Sequence, residues 1–294
     1  MKIAGVLNVL KPAGMSSHDI VYFVRRQLGI KKVGHTGTLD PYATGVLPIC
    51  IGKATKVSQF LLNERKAYRA ELNLGYSTDT QDAYGEILKR SEYIPNEEEI
   101  REAVLSFVGE IDQVPPMYSA LKVNGKKLYE LAREGKEIER KSRKITIHDI
   151  DIVKIEGQKV MFDVLCSKGT YIRTLCVDIA EKLNCSGHMS FLIRTQTGDF
   201  YLKDALTLEE IENIEKEELP MRSIDDMLNE YPKLIVDDEY YSLIMNGGKL
   251  SMTKTVKVGV SYRIYCKDEF LGLGSVHNKE KQYFLKMDKL LVGE

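Results

Sequence analysis

Alternating apolar and polar residues predict two β-strands in the first 170 residues. Residues 68–74 (YRAELNL) carry an apolar side chain at every second position and end at Gly75, which is the pattern of a strand with one buried face. Residues 159–166 form a second predicted strand, which runs into the turn sequence SKGT at 167–170. The sequence therefore predicts a sheet before any motif is considered.

Apolar residues at helical spacing predict two helices beside these strands. Residues 16–19 (SSHD) have the sequence of a capping box, and apolar residues at helical spacing follow up to Gly29. A second helix is predicted after Thr170, ending near Asn184. Its first turn contains Arg173, where the helix dipole disfavours a cation. Arg173 is therefore expected either to have an anionic partner or simply to lie exposed to solvent.

Strands and helices mix without a regular βαβ rhythm, which predicts an α+β fold with a mixed, mainly antiparallel sheet and flanking helices. A chain of 294 residues favours one large and one small domain, divided here into 1–230 and 231–294. The acidic segment before the division is predicted to be helical over 208–217. Beyond it, short apolar runs at 256–260, 263–266 and 270–273 predict a small β-barrel.

Composition and charge limit the function classes. No apolar run approaches the roughly 18 residues that a membrane span needs, which predicts a soluble cytoplasmic protein. Five scattered cysteines predict free thiols rather than a disulfide framework. The net charge of −1 conceals two basic zones, +6 over residues 11–66 and +5 over 122–144, and an acidic segment of −8 over 204–230. The basic zones are either solvated faces or contacts for nucleic-acid phosphates.

The segment 34–48 (GHTGTLDPYATGVLP) surrounds Asp40 with glycine, threonine and proline, a composition that is foreign to packed helices and strands. It is predicted to be a stiff loop that displays Asp40, with His35 as the nearby group that titrates near neutral pH. The simpler interpretation is a turn between two elements. Zinc-binding, P-loop and GxSxG hydrolase patterns are not satisfied.

Several segments together resemble the TruB-type tRNA pseudouridine synthases. The loop 34–48 satisfies the GHTGxLDPxATGxLP pattern of that family at every fixed position. The resemblance extends to the following segments: KPAGMSSHD at 11–19, KAYRAEL at 66–72, PPMYSALKVNGKKLYELAREG at 115–135 and SKGTYIRTL at 167–175. It implies isomerisation of the uridine at position 55 in the T loop of tRNA, by base flipping and an aspartate covalent catalyst.

The resemblance implies the following site residues. Asp40 is implied as the catalyst, Arg173 as its ionic partner, and Tyr68 as the ring that stacks on the target base and acts as a candidate general base; from its pattern alone Tyr68 is a packing residue. Substrate-binding roles are implied for six further residues: His35, Lys11, Pro12, Lys168, Tyr171 and Leu192. His35 would fill the space that the flipped nucleotide leaves. No cofactor and no metal ion are expected.

The resemblance also implies a thumb insertion at about 113–143, expected to close over the T arm, and a PUA-like RNA-binding domain at the C-terminus. tRNA is the expected partner, and a monomer without obligatory protein partners is expected. Two alternatives stay open. One is the catalytic subunit of a guide-RNA-dependent pseudouridylation particle, and the other is a non-catalytic tRNA-binding or tRNA-folding protein.

Overall fold

The computed structural model describes residues 4–61, 64–123, 125–252, 256–279 and 282–292, and its largest element is a mixed β-sheet. The strands are β1 (Gly5–Lys11), β2 (Val33–His35), β3 (Thr44–Ile51), β4 (Lys66–Leu74), β5 (Tyr76–Thr78), β6 (Ile87–Arg90), β7 (Gly109–Gln113), β8 (Lys122–Val123), β9 (Lys126–Lys127), β10 (Arg143–Glu156), β11 (Lys159–Cys166), β12 (Gly187–Thr197), β13 (Phe200–Tyr201), β14 (Lys233–Ile235), β15 (Leu250–Met252), β16 (Ser261–Cys266), β17 (Glu269–Lys279) and β18 (Gln282–Leu290). The α-helices are α1 (Ser17–Leu28), α2 (Ser58–Leu61), α3 (Glu97–Leu105), α4 (Leu128–Arg133), α5 (Ile172–Lys182), α6 (Leu208–Asn213) and α7 (Tyr241–Met245).

The large sheet has the strand order β1-β3-β12-β4-β11-β10-β7, with β2 paired to β3 and β13 paired to β12. Neighbouring strands run antiparallel throughout, apart from the short parallel pairing of β3 with β12. The predicted α+β class with a mainly antiparallel sheet is therefore confirmed. None of the helices in the described ranges has the length and hydropathy that crossing a membrane requires.

Helix α1 begins and packs as its sequence predicts. The Ser16 hydroxyl accepts a hydrogen bond from the backbone N–H of Asp19 (3.2 Å), and the Asp19 carboxylate accepts one from the N–H of Ser16 (2.7 Å). The helix buries its apolar face against β1 and β3. The capping box thus fixes where the chain turns away from β1 and enters α1.

Helix α5 lies close to the sheet because β12 begins with a glycine. A Cβ atom on Gly187 would come within 2.7 Å of the Cβ of Ala180 on α5 and within 2.9 Å of Leu72 on β4. Side-chain burial along α5 is nearly continuous from Ile172 to Cys176. The helix therefore holds its first turn, which contains Arg173, against the sheet.

A second sheet follows in the order β14-β16-β17-β18-β15 and has its own apolar core. It fits a PUA-like domain. A further apolar cluster joins residues of β1 and β3 with Leu273 and Leu291, so the second sheet packs against the first part of the chain. The second sheet begins at Lys233, and the division at 230/231 stays a prediction.

Two predicted elements are wrong in extent or type. The helix predicted over 208–217 ends at Asn213, and Ile214 is already extended, because the acidic residues that follow are unfavourable at the negative end of a helix. The run 256–260 is not a strand. The backbone N–H and carbonyl of Lys257 are hydrogen-bonded to the hydroxyl of Tyr262 (3.1 and 3.3 Å), which takes the groups that a strand would pair.

The segment 34–48 is also not a loop over its whole length. Its first two residues belong to β2 and its last five to β3, so only residues 36–43 lie outside strands. Pro48 is tolerated inside β3 because it lies between two pairings on one edge of the strand, while β1 pairs along the other edge. β12 pairs with Thr44 and Gly45, whereas β2 pairs with Ile49 and the residues after it.

We expect Gly45→Ala to lower the free energy of unfolding by about 3 kcal/mol or more, measured by urea denaturation. Gly45 has φ +110, and an added Cβ would lie 2.2 Å from the carbonyl oxygen and 2.7 Å from the nitrogen of Arg194. The matched control is Gly157→Ala, which has φ +58 and no atom within 4 Å of an added Cβ. The control should lose only about 1–2 kcal/mol. Equal losses in the two variants would contradict this account of the β3–β12 contact.

Candidate active site

Asp40 and Arg173 form a two-point ion pair. The Arg173 Nε lies 2.8 Å from Asp40 Oδ2, and its Nη2 donates to Asp40 Oδ1 at 3.2 Å. The Arg173 side chain is 5% exposed, whereas the Asp40 side chain is 36% exposed. The carboxylate is thus oriented from behind by a buried cation and remains open to solvent on its other side.

Arg173 also binds two backbone carbonyls from other segments. Its Nη1 donates to the carbonyl of Thr80 (2.9 Å), which lies between β5 and β6, and its Nη2 donates to the carbonyl of Tyr118 (2.8 Å), which lies after β7. The Tyr118 hydroxyl donates in turn to Asp79 (3.2 Å). One buried guanidinium therefore connects the Asp40 segment, the β5–β6 loop and the segment that follows β7.

The backbone around Asp40 is fixed from both sides. Its carbonyl accepts a hydrogen bond from the N–H of Ala43 (3.1 Å), which closes a turn. On the N-terminal side, the hydroxyl of Ser17 accepts from the N–H of Leu39 (2.8 Å) and donates to the carbonyl of the same residue (3.1 Å). The predicted stiffness of the segment thus has a structural cause, in which α1 takes part through Ser17.

Lys11 lies beneath this turn as a fully buried cation. Its ammonium group donates to the carbonyls of Pro12 (2.8 Å), Met15 (2.5 Å) and Pro41 (2.9 Å). Burial lowers the pKa of Lys11 to about 8, partly opposed by the negative charge of Asp40. Lys11 therefore holds the backbone next to Asp40 in place and does not reach solvent.

Tyr68 lies in the core next to a second buried cation, Arg194. These two residues are directly opposite each other on β4 and β12. Arg194 is 1% exposed and donates to the carbonyls of Val46 (2.7 Å) and Gly37 (3.1 Å). Burial raises the pKa of Tyr68 to about 12, and Asp40 contributes in the same direction. Tyr68 is therefore a neutral phenol at neutral pH.

Tyr171 and Leu192, two of the predicted substrate-binding residues, lie on or next to elements that also carry site residues. Tyr171 precedes α5 and exchanges two hydrogen bonds with Gln113 (2.8 and 3.1 Å); burial raises the pKa of its hydroxyl, which is within range of the charges of Arg173 and Asp40. Leu192 on β12 packs in the same apolar cluster as Tyr68.

His35, Pro12 and Lys168 are less directly connected to the ion pair. His35 belongs to β2 rather than to a loop, its Nδ1 is buried without a hydrogen-bond partner in the described part of the chain, and burial lowers its pKa. Pro12 contributes its carbonyl to Lys11. Lys168 is exposed after β11. Burial lowers the pKa of Lys66 to about 8, and the charge of Lys168 adds slightly to this shift.

The segment 113–143, predicted to be a thumb insertion, contains a small hairpin and a helix. β8 and β9 pair through Lys122 with Lys127 and through Val123 with Lys126, and α4 follows directly. The Asn-Gly dipeptide at 124–125 is typical of a hairpin turn, although Asn124 itself lies outside the described residues. Its flanking strands nevertheless pair as a hairpin requires.

Arg194 is the main site residue that sequence reasoning missed. A signal for it exists in the strand pattern of β12, where Leu192 and Arg194 share the inward-facing phase. An arginine in that phase must find buried acceptors, because a buried charge without partners is unstable. The carbonyls of Thr80 and Tyr118 carry no such signal, since any residue provides a carbonyl.

Within the described ranges, His, Cys, Asp and Glu side chains do not form any group of three or more that could hold a metal ion. The site contains one accessible carboxylate, Asp40, which is held by Arg173, and the neutral phenol of Tyr68. Such a carboxylate is equipped to act as a nucleophile or as a base.

Removing the buried charge of Lys11 should change how stability depends on pH. The folded protein loses the Lys11 proton near pH 8, whereas the unfolded chain retains it to about 10.5, so the unfolded state binds more protons between these values. Unfolding free energy should therefore rise with pH in this window. The unfolding free energy of wild type minus that of Lys11→Met, measured by denaturation from pH 7.5 to 10.5, should rise by up to about 3 kcal/mol. A difference that stays constant would contradict the burial of this charge.

The chain is similar to known proteins over nearly its whole length. Residues 25–172 match the model of the TruB family pseudouridylate synthase N-terminal domain, and residues 173–232 match that of the tRNA pseudouridylate synthase B C-terminal domain. The chain is 53% identical over 293 residues to tRNA pseudouridine synthase B of Alkaliphilus oremlandii, covering 98% of each chain. It is 51% identical over 295 residues to the protein of that name from Clostridium kluyveri, covering 98% of this chain and 99% of the relative.

Among solved structures, the chain is similar to one in a Cbf5-Nop10-Gar1 complex, with a TM-score of 0.72 and 28% identity, covering 98% of this chain and 85% of that one. It is also similar to a chain of an H/ACA RNP bound to a substrate RNA containing 2′-deoxyuridine, with a TM-score of 0.70, 26% identity and the same coverage. From its family-model matches and its full-length relatives, the chain belongs to the TruB family of pseudouridylate synthases.

Proposed function

We propose that this protein converts uridine to pseudouridine at position 55 in the T loop of tRNA, with Asp40 as the covalent catalyst. The observation that carries the proposal is the ion pair itself, in which an accessible carboxylate is held at both oxygens by the buried guanidinium of Arg173. The pair differs from the exposed Arg69–Asp163 pair in that its cation is buried while its carboxylate faces solvent.

The reaction suits a single carboxylate. The bond between N1 of uracil and C1′ of the ribose breaks, the base turns over, and its C5 forms a new bond to C1′, while the proton of C5 is removed and N1 is protonated. Atoms and electrons balance within the nucleotide. Because uracil leaves as a delocalised anion, the second, acidic carboxyl that glycosidases use is not required. Attack of Asp40 on C1′ and elimination at the ribose both use this same carboxylate.

Tyr68 is assigned to the target base. A phenol whose pKa is about 12 stays protonated at neutral pH, so we assign Tyr68 to stacking and hydrogen bonding rather than to proton abstraction as a tyrosinate. Leu192, in the same apolar cluster, would complete the apolar wall, and Tyr171 would bind the substrate beside Arg173.

The remaining contacts concern the RNA outside the target nucleotide. The lowered pKa of His35 makes its imidazole neutral at neutral pH, which suits a ring that fills the space left by a flipped base. Lys168 is exposed and suits a phosphate. The thumb, 113–143, would grip the T arm with its lysines and tyrosines, and the PUA-like domain, residues 231–294, would add further RNA contacts.

Two observations favour a stand-alone tRNA enzyme over a subunit of a guide-RNA particle. The full-length relatives at 51–53% identity are named tRNA pseudouridine synthase B, whereas the structures from Cbf5 and H/ACA complexes are only 26–28% identical. The thumb also gives the chain its own means of gripping a substrate. We therefore propose that it acts as a monomer without an obligatory protein partner.

Asp40→Asn should abolish pseudouridine formation while leaving tRNA affinity within about tenfold, because the amide keeps the shape of the carboxylate but is not a nucleophile. The assay is carbodiimide primer extension on an unmodified tRNA transcript, with no cofactor or metal added, combined with a binding titration. Wild type should give a stop in the T loop that the variant lacks.

The matched control is Asp163→Asn, which removes a carboxylate from an exposed two-point pair with Arg69 on the same sheet. It should retain wild-type turnover. Folded wild-type protein that binds tRNA but gives no stop would favour the binding-protein alternative. A stop that appears only with added guide RNA would favour the particle subunit.

A further inference from the structure

Two exposed tyrosines form a parallel stack at the rim of the candidate active site. The rings of Tyr42 and Tyr84 have centroids 3.6 Å apart and planes inclined by 14°. Tyr42 is 52% exposed and Tyr84 is 60% exposed. Aromatic pairs in proteins usually prefer offset or edge-to-face geometry at larger separation, so two solvent-exposed rings lying face to face require an explanation.

Both rings are presented by backbone that is already fixed. Tyr42 follows Asp40 by two residues in the closed turn, so their Cα atoms are within about 7 Å of each other, and the carbonyl of Pro41 is held by Lys11 and by the N–H of Gly14 (both 2.9 Å). Tyr42 therefore has a rigid position next to the catalyst.

Tyr84 is held in the same way on the β5–β6 loop. Its N–H donates to Asp82 (3.0 Å), whose carboxylate also accepts from the hydroxyl of Thr80 (2.6 Å). The carbonyl of Thr80 is one of the two that Arg173 binds. The stack is thus built across two loops that the same guanidinium connects, which makes it a preorganised surface.

The charges around the stack favour a base rather than a phosphate. Asp40, Asp79 and Asp82 lie on the two loops that carry the rings, so a phosphate group would meet negative charge. A nucleobase is uncharged and presents a flat face to an aromatic ring, and its stacking is tolerant of sequence. The rim is therefore suited to a base and unsuited to the RNA backbone.

We propose that the Tyr42–Tyr84 stack is a platform on which an unpaired base of the substrate RNA, next to the target nucleotide, stacks when the target enters the site. The inference rests on the proposed function for its substrate. Tyr42 is at a variable position of the GHTGxLDPxATGxLP pattern, so the platform is a property of this chain and is not implied by the pattern.

The test measures affinity and turnover separately. Tyr42→Ala and Tyr84→Ala, each made in the Asp40→Asn protein so that the RNA is not consumed, should weaken binding of a T-arm stem-loop by about tenfold or more. Tyr42→Phe and Tyr84→Phe keep the ring and should bind as the parent does. In the active protein, the alanine variants should raise KM and leave kcat within about twofold, since stacking is lost equally in the ground and transition states.

The control is Tyr93→Ala, which removes an exposed tyrosine near the C-terminal end of α5, where its carbonyl accepts from Cys185. Tyr93→Ala should change neither the affinity for the stem-loop nor the KM. As a direct probe, 2-aminopurine is placed singly at T-loop positions. One position should be quenched on binding to the Asp40→Asn protein, and the quenching should be lost when either ring is replaced by alanine.

The outcomes distinguish failure of the stacking platform from failure of the proposed function. If wild type forms pseudouridine and the alanine variants match it in KM and affinity, the platform is overturned and the proposed function stands. A fall in kcat with unchanged affinity would mean that the stack only fixes the two loops, which also overturns the platform. Wild-type protein that neither modifies nor binds the stem-loop would overturn both.

Discussion

The arrangement of the site depends on one buried cation that has to be satisfied. Arg173 is almost fully removed from water, and leaving such a charge without acceptors would cost several kcal/mol. Its acceptors are the carboxylate of Asp40 and the carbonyls of Thr80 and Tyr118, which come from three segments far apart in sequence. Packing of α5 against β12 places the Arg173 guanidinium beside the sheet. Because its N–H groups need acceptors there, the three segments that supply those acceptors lie together around it. Asp40, the β5–β6 loop and the start of the segment 113–143 are therefore coupled through a single side chain.

Beneath this pair, buried cations hold the backbone of the Asp40 segment. Lys11 binds the carbonyl next to Asp40, and Arg194 binds carbonyls of the same segment a few residues earlier. The basic zone over residues 11–66 was interpreted as a solvated face or a phosphate-binding surface, but Lys11 and Lys66 are buried. Part of the positive charge of this zone thus acts inside the protein, where Lys11 stiffens the loop that presents Asp40. The covalent role proposed for Asp40 would require such stiffness, since its position relative to C1′ must be held closely.

Local signals in the sequence predicted local structure well. The capping box at Ser16, the alternation along β4 and the limits of β11 are all found in the structure, because each depends on neighbouring residues alone. For Arg173, whose place in a helix left open an anionic partner or simple exposure to solvent, the structure shows the first: it is buried and paired with Asp40. One failure was local, since the acidic residues after Asn213 end α6 early. The others depended on distant partners: the ends of the Asp40 segment became strands because β2 pairs with β3, and β3 pairs in turn with β1 and β12, while the inward-facing Arg194 was overlooked.

The most direct test of the central role of Arg173 is the single-turnover rate of pseudouridine formation by Arg173→Lys with saturating tRNA. Lysine keeps the charge but lacks the planar fork that binds both oxygens of Asp40 and two carbonyls. The account predicts a rate lower by on the order of 10²-fold or more, with tRNA affinity within about tenfold. Arg69→Lys, which alters a two-point pair with Asp163 on an exposed face, should react at the wild-type rate. A folded Arg173→Lys protein that turns over as fast as wild type would contradict the account.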